Sequence, residues 1–134
     1  MLHPEWSYQA VIYEMNVRQL TREGTLRAAA AKLGFLRDMG IDAVWLMPVY
    51  PIGAEGRKGS LGSYYSIRDY CAGDPGLGTM GDFDAFVAEA HRLGMKVLLA
   101  DRLGFAEHAV LNTAECVDVL ISNLEEQKLG CTDL

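Results

Sequence analysis

A short, nearly unbroken apolar run at residues 42–47, between Gly40 and Pro48, limits the possible folds of this chain more than any other segment. A strand covered on both faces shows this pattern, because neither of its faces meets water. Residues 11–15, rich in β-forming side chains, and residues 95–99 predict two further strands. The sequence therefore predicts three strands, of which the one at 42–47 is covered on both faces.

Amphipathic segments with capping signals separate the predicted strands. Thr25 is placed to cap a first helix, and Gly40 supplies its left-handed stop. Thr79 and Asp82 form a capping box for a second helix that ends at Gly94. The apolar positions at helical spacing are Leu26, Ala29, Ala30, Leu33 and Leu36 in the first helix, and Phe83, Phe86, Val87, Ala90 and Leu93 in the second.

The order of these elements predicts the fold class. A third helix at 113–129 completes an alternation of strand, helix, strand, helix, strand and helix. This alternation is typical of an α/β fold with a parallel sheet. The chain has no internal repeat or linker that would divide it, so we expect residues 1–134 to form a single domain.

Charge and hydropathy exclude two classes of partner. Twelve Lys and Arg face 18 Asp and Glu, a formal charge of −6, and no basic cluster reverses this balance locally. Nucleic acid and anionic membrane surfaces would be repelled. No apolar run approaches the roughly 18 residues of a membrane span. We therefore expect neither nucleic acid nor membrane as a partner.

Cysteine and histidine usage bears on compartment and cofactors. The residues are Cys71, Cys116 and Cys131, and His3, His91 and His108. Because the cysteines are odd in number, far apart and without a CxxC pair, we expect reduced thiols and a cytoplasmic location. The start of the chain lacks an export signal, which agrees with that location. The histidines lack metal-ligand spacing, so we expect no metal and no cofactor.

A long glycine-rich connection runs from about residue 50 to 78, and loops of that length usually have a function or are mobile. Gly76, Gly78 and Gly81 give it a literal GxGxxG just before the second helix. Such a motif can bind a pyrophosphate at a helix N-terminus, although it should follow a strand directly. A nucleotide-binding α/β domain is therefore one alternative function.

Four ordered segments carry a family resemblance. They are residues 11–19 (VIYEMNVRQ), 40–49 (GIDAVWLMPV), 62–70 (GSYYSIRDY) with 78–83 (GTMGDF), and 90–99 (AHRLGMKVLL). Through them, residues 10–99 resemble the N-terminal part of the catalytic barrel of the α-amylase family (glycoside hydrolase family 13). The resemblance implies a partial TIM (β/α)8 barrel of about three parallel βα units, with its site at the carboxyl ends of the strands.

The resemblance implies one substrate-binding residue, Tyr65, which matches the family's aromatic residue that stacks on the sugar ring beside the scissile bond. An aromatic face suits the apolar C–H face of a pyranose. From spacing alone, packing of the loop is the better explanation of Tyr64, Tyr65 and Tyr70, and the resemblance favours sugar binding for Tyr65 only. Asp69 is expected to fix the loop by accepting backbone N–H bonds rather than to act in catalysis.

The sequence departs from the family pattern after residue 99. Family members end the third strand with Asp-x-x-x-Asn-His, whereas Ala100, Gly104 and Phe105 take those places here. Retaining hydrolysis needs two carboxyl groups about 5 Å apart, and the family carries them on its fourth and fifth strands. The acidic residues of the unmatched tail at 100–134 fall on no family motif and are expected to form a solvated helix face: Glu107, Glu115, Asp118, Glu125 and Glu126.

We therefore assign no catalytic residue and predict a truncated α-amylase-family glycoside hydrolase of α-glucan metabolism, incomplete on its own; whether the chain is an enzyme stays open. The ligand implied is an α-glucan or maltooligosaccharide. The second alternative is a non-enzymatic partial barrel, because three parallel strands leave two open edges and an uncovered inner face. Such a module would form a homo-oligomer or pair with a complementary barrel fragment.

Overall fold

The computed structural model describes residues 5–100, and these form an α/β unit built on one parallel sheet. The elements are a 3₁₀ turn at Glu5–Tyr8, β1 (Ile12–Met15), α1 (Val17–Leu20), α2 (Leu26–Ala30), α3 (Leu33–Asp38), β2 (Ala43–Leu46), α4 (Met80–Arg92) and β3 (Lys96–Leu99). The α/β prediction with three parallel strands is confirmed. The predicted helix at 113–129 lies outside the described residues.

The sheet has the order β1-β2-β3 with both neighbouring pairs parallel. Four cross-strand rows follow from the register: Ile12–Ala43–Lys96, Tyr13–Val44–Val97, Glu14–Trp45–Leu98 and Met15–Leu46–Leu99. Successive side chains of a strand point to opposite faces, so alternate rows share a face. The second and fourth rows face the helices, and the first and third form the opposite face, here called the open face.

The core lies between the sheet and the helices. Its largest fully buried side chains are Phe86, Met15, Leu33, Leu46, Met95 and Val44. Helix α4 contributes the predicted apolar face, with Phe83, Phe86, Val87 and Ala90 buried. The alternation of buried and exposed positions along the helices thus matches the 3.6-residue period that predicted them.

The predicted helix boundaries are confirmed at their caps. The Thr25 hydroxyl accepts a backbone N–H bond in the first turn of α2 at 3.3 Å. Thr79 and Asp82 form the reciprocal capping box of α4. Gly40 and Gly94 have φ of +91° and +78°, a region that side-chain-bearing residues rarely adopt.

The first predicted helix differs from the structure by an interruption. It is divided at Ala31 and Lys32 into α2 and α3, and the Lys32 N–H bonds to the carbonyl of Ala29, three residues back, at 2.9 Å. Leu26 and Leu36, one in each segment, are both buried, so one apolar face continues across the break. Helix α1 was not predicted, because its four residues are too few to show a period.

The prediction that the second strand is covered on both faces is wrong for the described part of the chain. Trp45 is 43% exposed and its neighbour on the open face, Ile12, is 50% exposed. The reason is that α2, α3 and α4 all contribute to the core on the other face. An apolar run shows that a strand is suited to burial on both faces. Burial of the second face also needs a second layer of residues packed against it.

Two further observations concern residues 5–100. No helix in this range is long and apolar enough to cross a membrane, and no three His, Cys, Asp or Glu side chains in it group to hold a metal ion. Cys71 is disulfide-bonded, so the expectation of reduced thiols is wrong at this position. Disulfides persist mainly in oxidising compartments, so this observation does not support the cytoplasmic location. That location stays a prediction.

Candidate functional site

The long loop, defined here as residues 47–79 between β2 and α4, reaches over the carboxyl end of β1. The Tyr64 hydroxyl donates a 2.7 Å hydrogen bond to Oδ1 of Asn16, the residue that directly follows β1. Tyr65 is the next residue, so the structure places it at the end of the sheet where parallel α/β barrels carry their sites.

The two halves of the long loop pair with each other beside Tyr65. Ile52 and Ile67 form an antiparallel bridge. The Gly53 N–H donates to the Ser66 carbonyl and the Arg68 N–H to the Pro51 carbonyl, both at 2.8 Å. These bonds hold the segment that carries Tyr65 from one side, while Tyr64 holds it from the other.

Glycine and arginine make the close approach within the loop possible. The Arg57 guanidinium donates to the carbonyls of Ile52 and Gly53 at 2.8 and 3.0 Å. A Cβ at Gly62, whose φ is +74°, would lie 2.9 Å from Cγ of Arg57. Glycine at this position tolerates the positive φ and leaves room for the aliphatic part of the Arg57 side chain beside it.

Tyr65 is 40% exposed, and its backbone N–H donates to the Ser63 hydroxyl at 3.3 Å. Partial exposure at the carboxyl end of the sheet leaves part of the ring accessible to a ligand. The arrangement is chemically suited to stacking against the C–H face of a sugar. The sugar-binding role of Tyr65 stays a prediction.

The neighbouring aromatic and acidic residues have packing roles. The Tyr50 and Tyr70 ring centroids lie 5.7 Å apart at an interplanar angle of 50°. Oδ1 of Asp69 accepts the Cys71 N–H at 2.8 Å, which confirms the loop-fixing role expected of this carboxylate.

One group that sequence reasoning missed is Arg18, in α1. Its guanidinium lies 4.5 Å from the ring centroid of Tyr64 and 3.2 Å from Oδ2 of Asp74. Arg18 and Asp74 are 56 residues apart in the chain. No local spacing indicates that pair, and only the course of the long loop brings it together.

A cavity of about 30 Å³ lies under the loop beside β3. Its lining is mostly apolar and includes Val49, Tyr50, Met80, Phe83 and Leu99. Ligand pockets for molecules of sugar or drug size measure about 300–1,000 Å³. This cavity is therefore a packing gap and not the place for a glucan.

The GxGxxG segment leads into a helix end that is already occupied. The Asp82 carboxylate accepts the Thr79 N–H at 2.9 Å, the Thr79 hydroxyl at 2.8 Å and the Arg27 guanidinium at 3.0 Å. The hydrogen bonds from Thr79, followed by that from Arg27, lower the pKa of Asp82 from its ordinary value. A pyrophosphate at this N-terminus would have to displace that carboxylate, so the geometry does not favour a nucleotide site.

Comparison with known proteins gives matches over the same residues. The profile of the family described as "Alpha amylase, catalytic domain" matches residues 9–103. The alpha-1,4-glucan:maltose-1-phosphate maltosyltransferase of Arcanobacterium haemolyticum is 47% identical over 91 residues, covering 57% of this chain and 13% of that protein. Alpha-amylase SusG of Bacteroides thetaiotaomicron is 36% identical over 95 residues, covering 69% of this chain and 12% of that protein.

A solved structure shows the same likeness in three dimensions. An alpha-amylase from Lactobacillus plantarum matches with a TM-score of 0.66 at 44% identity, covering 67% of this chain and 21% of that one. The chain thus spans about one eighth of the two curated relatives and about one fifth of the solved one.

Proposed function

Because the chain belongs to the alpha-amylase catalytic-domain family, we propose that it binds α-glucans through Tyr65 at the carboxyl end of its sheet. The observation that carries this proposal is the position of Tyr65, partly exposed and next to the Tyr64–Asn16 hydrogen bond at the end of β1. In barrels of parallel strands, ligands bind at that end.

The chemistry of α-glucans supports the assignment. The curated relatives are named as an alpha-1,4-glucan maltosyltransferase and an alpha-amylase, so both names point to glucose polymers. A pyranose offers an apolar C–H face for a ring and hydroxyls for nearby polar groups. Because Tyr65 is the one aromatic residue that we assign to sugar contact, we expect weak binding.

Calorimetric titration of the 134-residue chain with maltohexaose tests the proposal. We expect weak binding that Tyr65→Ala abolishes and that Tyr65→Phe retains, because the stacking face survives in phenylalanine. Tyr8→Ala is the matched control, since this exposed tyrosine precedes β1 at the opposite end of the sheet and its loss should leave the titration unchanged. Heats that are the same with and without the Tyr65 ring would contradict the assignment.

For catalysis, we propose that residues 1–134 alone do not hydrolyse α-glucans and that the reacting carboxylates lie on barrel strands outside these residues. Retaining glycosidases use two carboxyl groups about 5 Å apart. The chain matches the family over residues 9–103 only, and the described part of that match provides three strands. The missing groups would come from strands that follow β3 in the family's barrel.

A complementation assay tests this second step. The 134-residue chain is mixed with the part of the Lactobacillus plantarum alpha-amylase that follows its matching segment, and release of reducing ends from starch is measured. We expect no release by either polypeptide and measurable release by the mixture. Turnover of starch by the rigorously purified chain alone would contradict the proposal.

A second candidate function is self-association, and the open face favours it. The rows Ile12–Ala43–Lys96 and Glu14–Trp45–Leu98 belong to this face, and Ile12 and Trp45 on it are exposed. Contiguous exposed apolar surface is unusual in monomers and marks contact sites. We propose that two copies of the chain cover this face together.

Light scattering after size exclusion tests self-association. Trp45→Gln should shift the chain toward monomer, whereas Phe35→Gln, on the outer side of α3 and 65% exposed, should not. A wild-type chain that is monomeric and melts cooperatively would contradict this candidate. That outcome leaves the sugar titration, which needs no second copy, as the remaining test of function.

A further inference from the structure

Four side chains connect the end of β1 and helix α1 with the long loop, at one position before Tyr65 in the sequence and one after it. This set, called the Arg18 cluster, consists of Asn16, Arg18, Tyr64 and Asp74. The Tyr64 ring is held at two points, its hydroxyl on Asn16 at 2.7 Å and its face under the Arg18 guanidinium at 4.5 Å. Arg18 in turn donates to Asp74 at 3.2 Å.

The ion pair is shielded from solvent. The Arg18 and Asp74 side chains are 13% and 19% exposed, whereas the side chains of Arg37 and Asp38 are 48% and 69% exposed. Shielded charge pairs are screened less by water and salt than pairs on the surface. The Arg18–Asp74 pair is therefore the stronger restraint of the two.

Both partners of the pair are fixed by their own backbones. Asp74 accepts the Gly76 N–H at 2.9 Å through its other oxygen, and its N–H donates to the Val49 carbonyl at 2.8 Å. In the turn after α1, the backbone of Gly24 lies close to that of Arg18, since a Cβ at Gly24 would lie 2.9 Å from the Arg18 carbonyl oxygen. Arg18 thus contacts both Asp74, which is fixed by two backbone hydrogen bonds, and the Tyr64 ring.

Arginine suits this place better than lysine. A planar guanidinium can stack on an aromatic face while its edge donates to a carboxylate, and an ammonium group offers no flat face to stack. The restraint on Tyr64 is passed to Tyr65 through one peptide unit. Movement of Tyr64 would therefore change where the Tyr65 ring points.

We propose that Arg18 is a positioning residue that holds residues 63–66 over the end of β1 and so sets the orientation of Tyr65 toward a glucan. The part that concerns the glucan rests on the proposed function. The part that concerns the loop does not, because it is defined by contacts within the chain.

Amide hydrogen exchange on the full chain tests the loop part. Arg18→Gln should raise exchange in residues 62–68 about tenfold, the size expected for loss of one charged hydrogen bond, with exchange in α4 unchanged. Arg18→Lys should give a smaller rise in the same residues, and Arg37→Gln is the matched control with no effect. Unchanged exchange at 62–68 would overturn the inference, because Arg18 would then not restrain the loop. An equal rise in α4 would also overturn it, because Arg18 would then stabilise the whole structure and not the loop in particular.

Titration with maltohexaose tests the glucan part. Arg18→Gln should weaken binding about tenfold with its melting temperature near wild type, Arg18→Lys should weaken it less, and the Arg37→Gln control should leave it unchanged. Unchanged binding in Arg18→Gln, or weakening that is matched by a fall in melting temperature, would overturn the positioning role. If the wild-type chain binds no glucan, the link to sugar is overturned with the proposed function, and hydrogen exchange still decides the loop restraint.

Discussion

The helix side of the sheet and the long loop are stabilised in different ways. On the helix side, α2, α3 and α4 bury a continuous apolar cluster against the strands. In the long loop, the restraints are individual polar contacts such as Tyr64 to Asn16, Arg18 to Asp74 and Arg57 to two carbonyls. Burial tolerates many apolar partners, whereas each polar contact needs one particular side chain. The loop should therefore open without unfolding the core.

The largest expected effect comes from the core. Phe86→Ala removes a fully buried ring and should cost about 3–5 kcal/mol of unfolding free energy. Urea unfolding followed by tryptophan fluorescence measures this. Phe35→Ala, at an exposed position on α3, should stay within about 0.5 kcal/mol of wild type. Equal losses at the two positions would mean that burial on the helix side does not determine stability.

A smaller effect is expected at the junction of the two regions, where the loop passes into α4. Thr79→Ala removes the N-cap side chain and should cost about 1 kcal/mol. Hydrogen exchange should rise in the first turn of α4 and not in β2. Ser60→Ala, an exposed hydroxyl within the loop, should be neutral. A rise confined to the loop would show that Thr79 does not stabilise the first turn of α4.

The smallest effect concerns pH and Asp82. Its pKa lies below the ordinary 3.8 in the folded chain, chiefly because Thr79 donates to the carboxylate. The ionised form is thus preferred by the native state, so its contribution to stability is present above 3.8 and is lost as pH falls through the lowered folded pKa. Asp82→Asn should make stability less dependent on pH in that acidic range.

Urea midpoints measured across the acidic range check this prediction. Glu89→Gln is a useful companion, because Arg92 lowers the pKa of the exposed Glu89 and its loss should give a similar but separate flattening. A wild-type chain and an Asp82→Asn variant with parallel pH curves would show that the cap does not depend on charge.

The same division explains what the sequence could predict. The three strands, the cap at Thr25, the capping box at Thr79 and Asp82 and the left-handed Gly40 all follow from patterns within a few residues. The loop-fixing role of Asp69 was predictable for the same reason, since its acceptor contact is two residues away. Local spacing thus accounts for most of the helix side.

The contacts that fix the loop could not be predicted from spacing. Arg18 and Asp74 are separated by 56 residues, and Tyr64 and Asn16 by 48. Exposure of Trp45 was missed because an apolar run in a strand does not tell which layers the rest of the chain supplies. The position of Tyr65 at the carboxyl end of the sheet agrees with the family resemblance, and its contact with sugar stays a prediction.

The direction of the strands decides what kind of assembly the sheet edges permit. Among residues 5–100, β1 and β3 each pair with β2 alone, and all three strands run the same way. A parallel sheet continued from β3 of one copy to β1 of the next is head-to-tail, and it stops growing only when a ring closes; otherwise it yields fibres. A two-fold dimer joined at its edges would instead set like strands antiparallel. Dimers that remain dimers at high concentration would therefore point to contact through the open face, and lengthening species to contact through the edges.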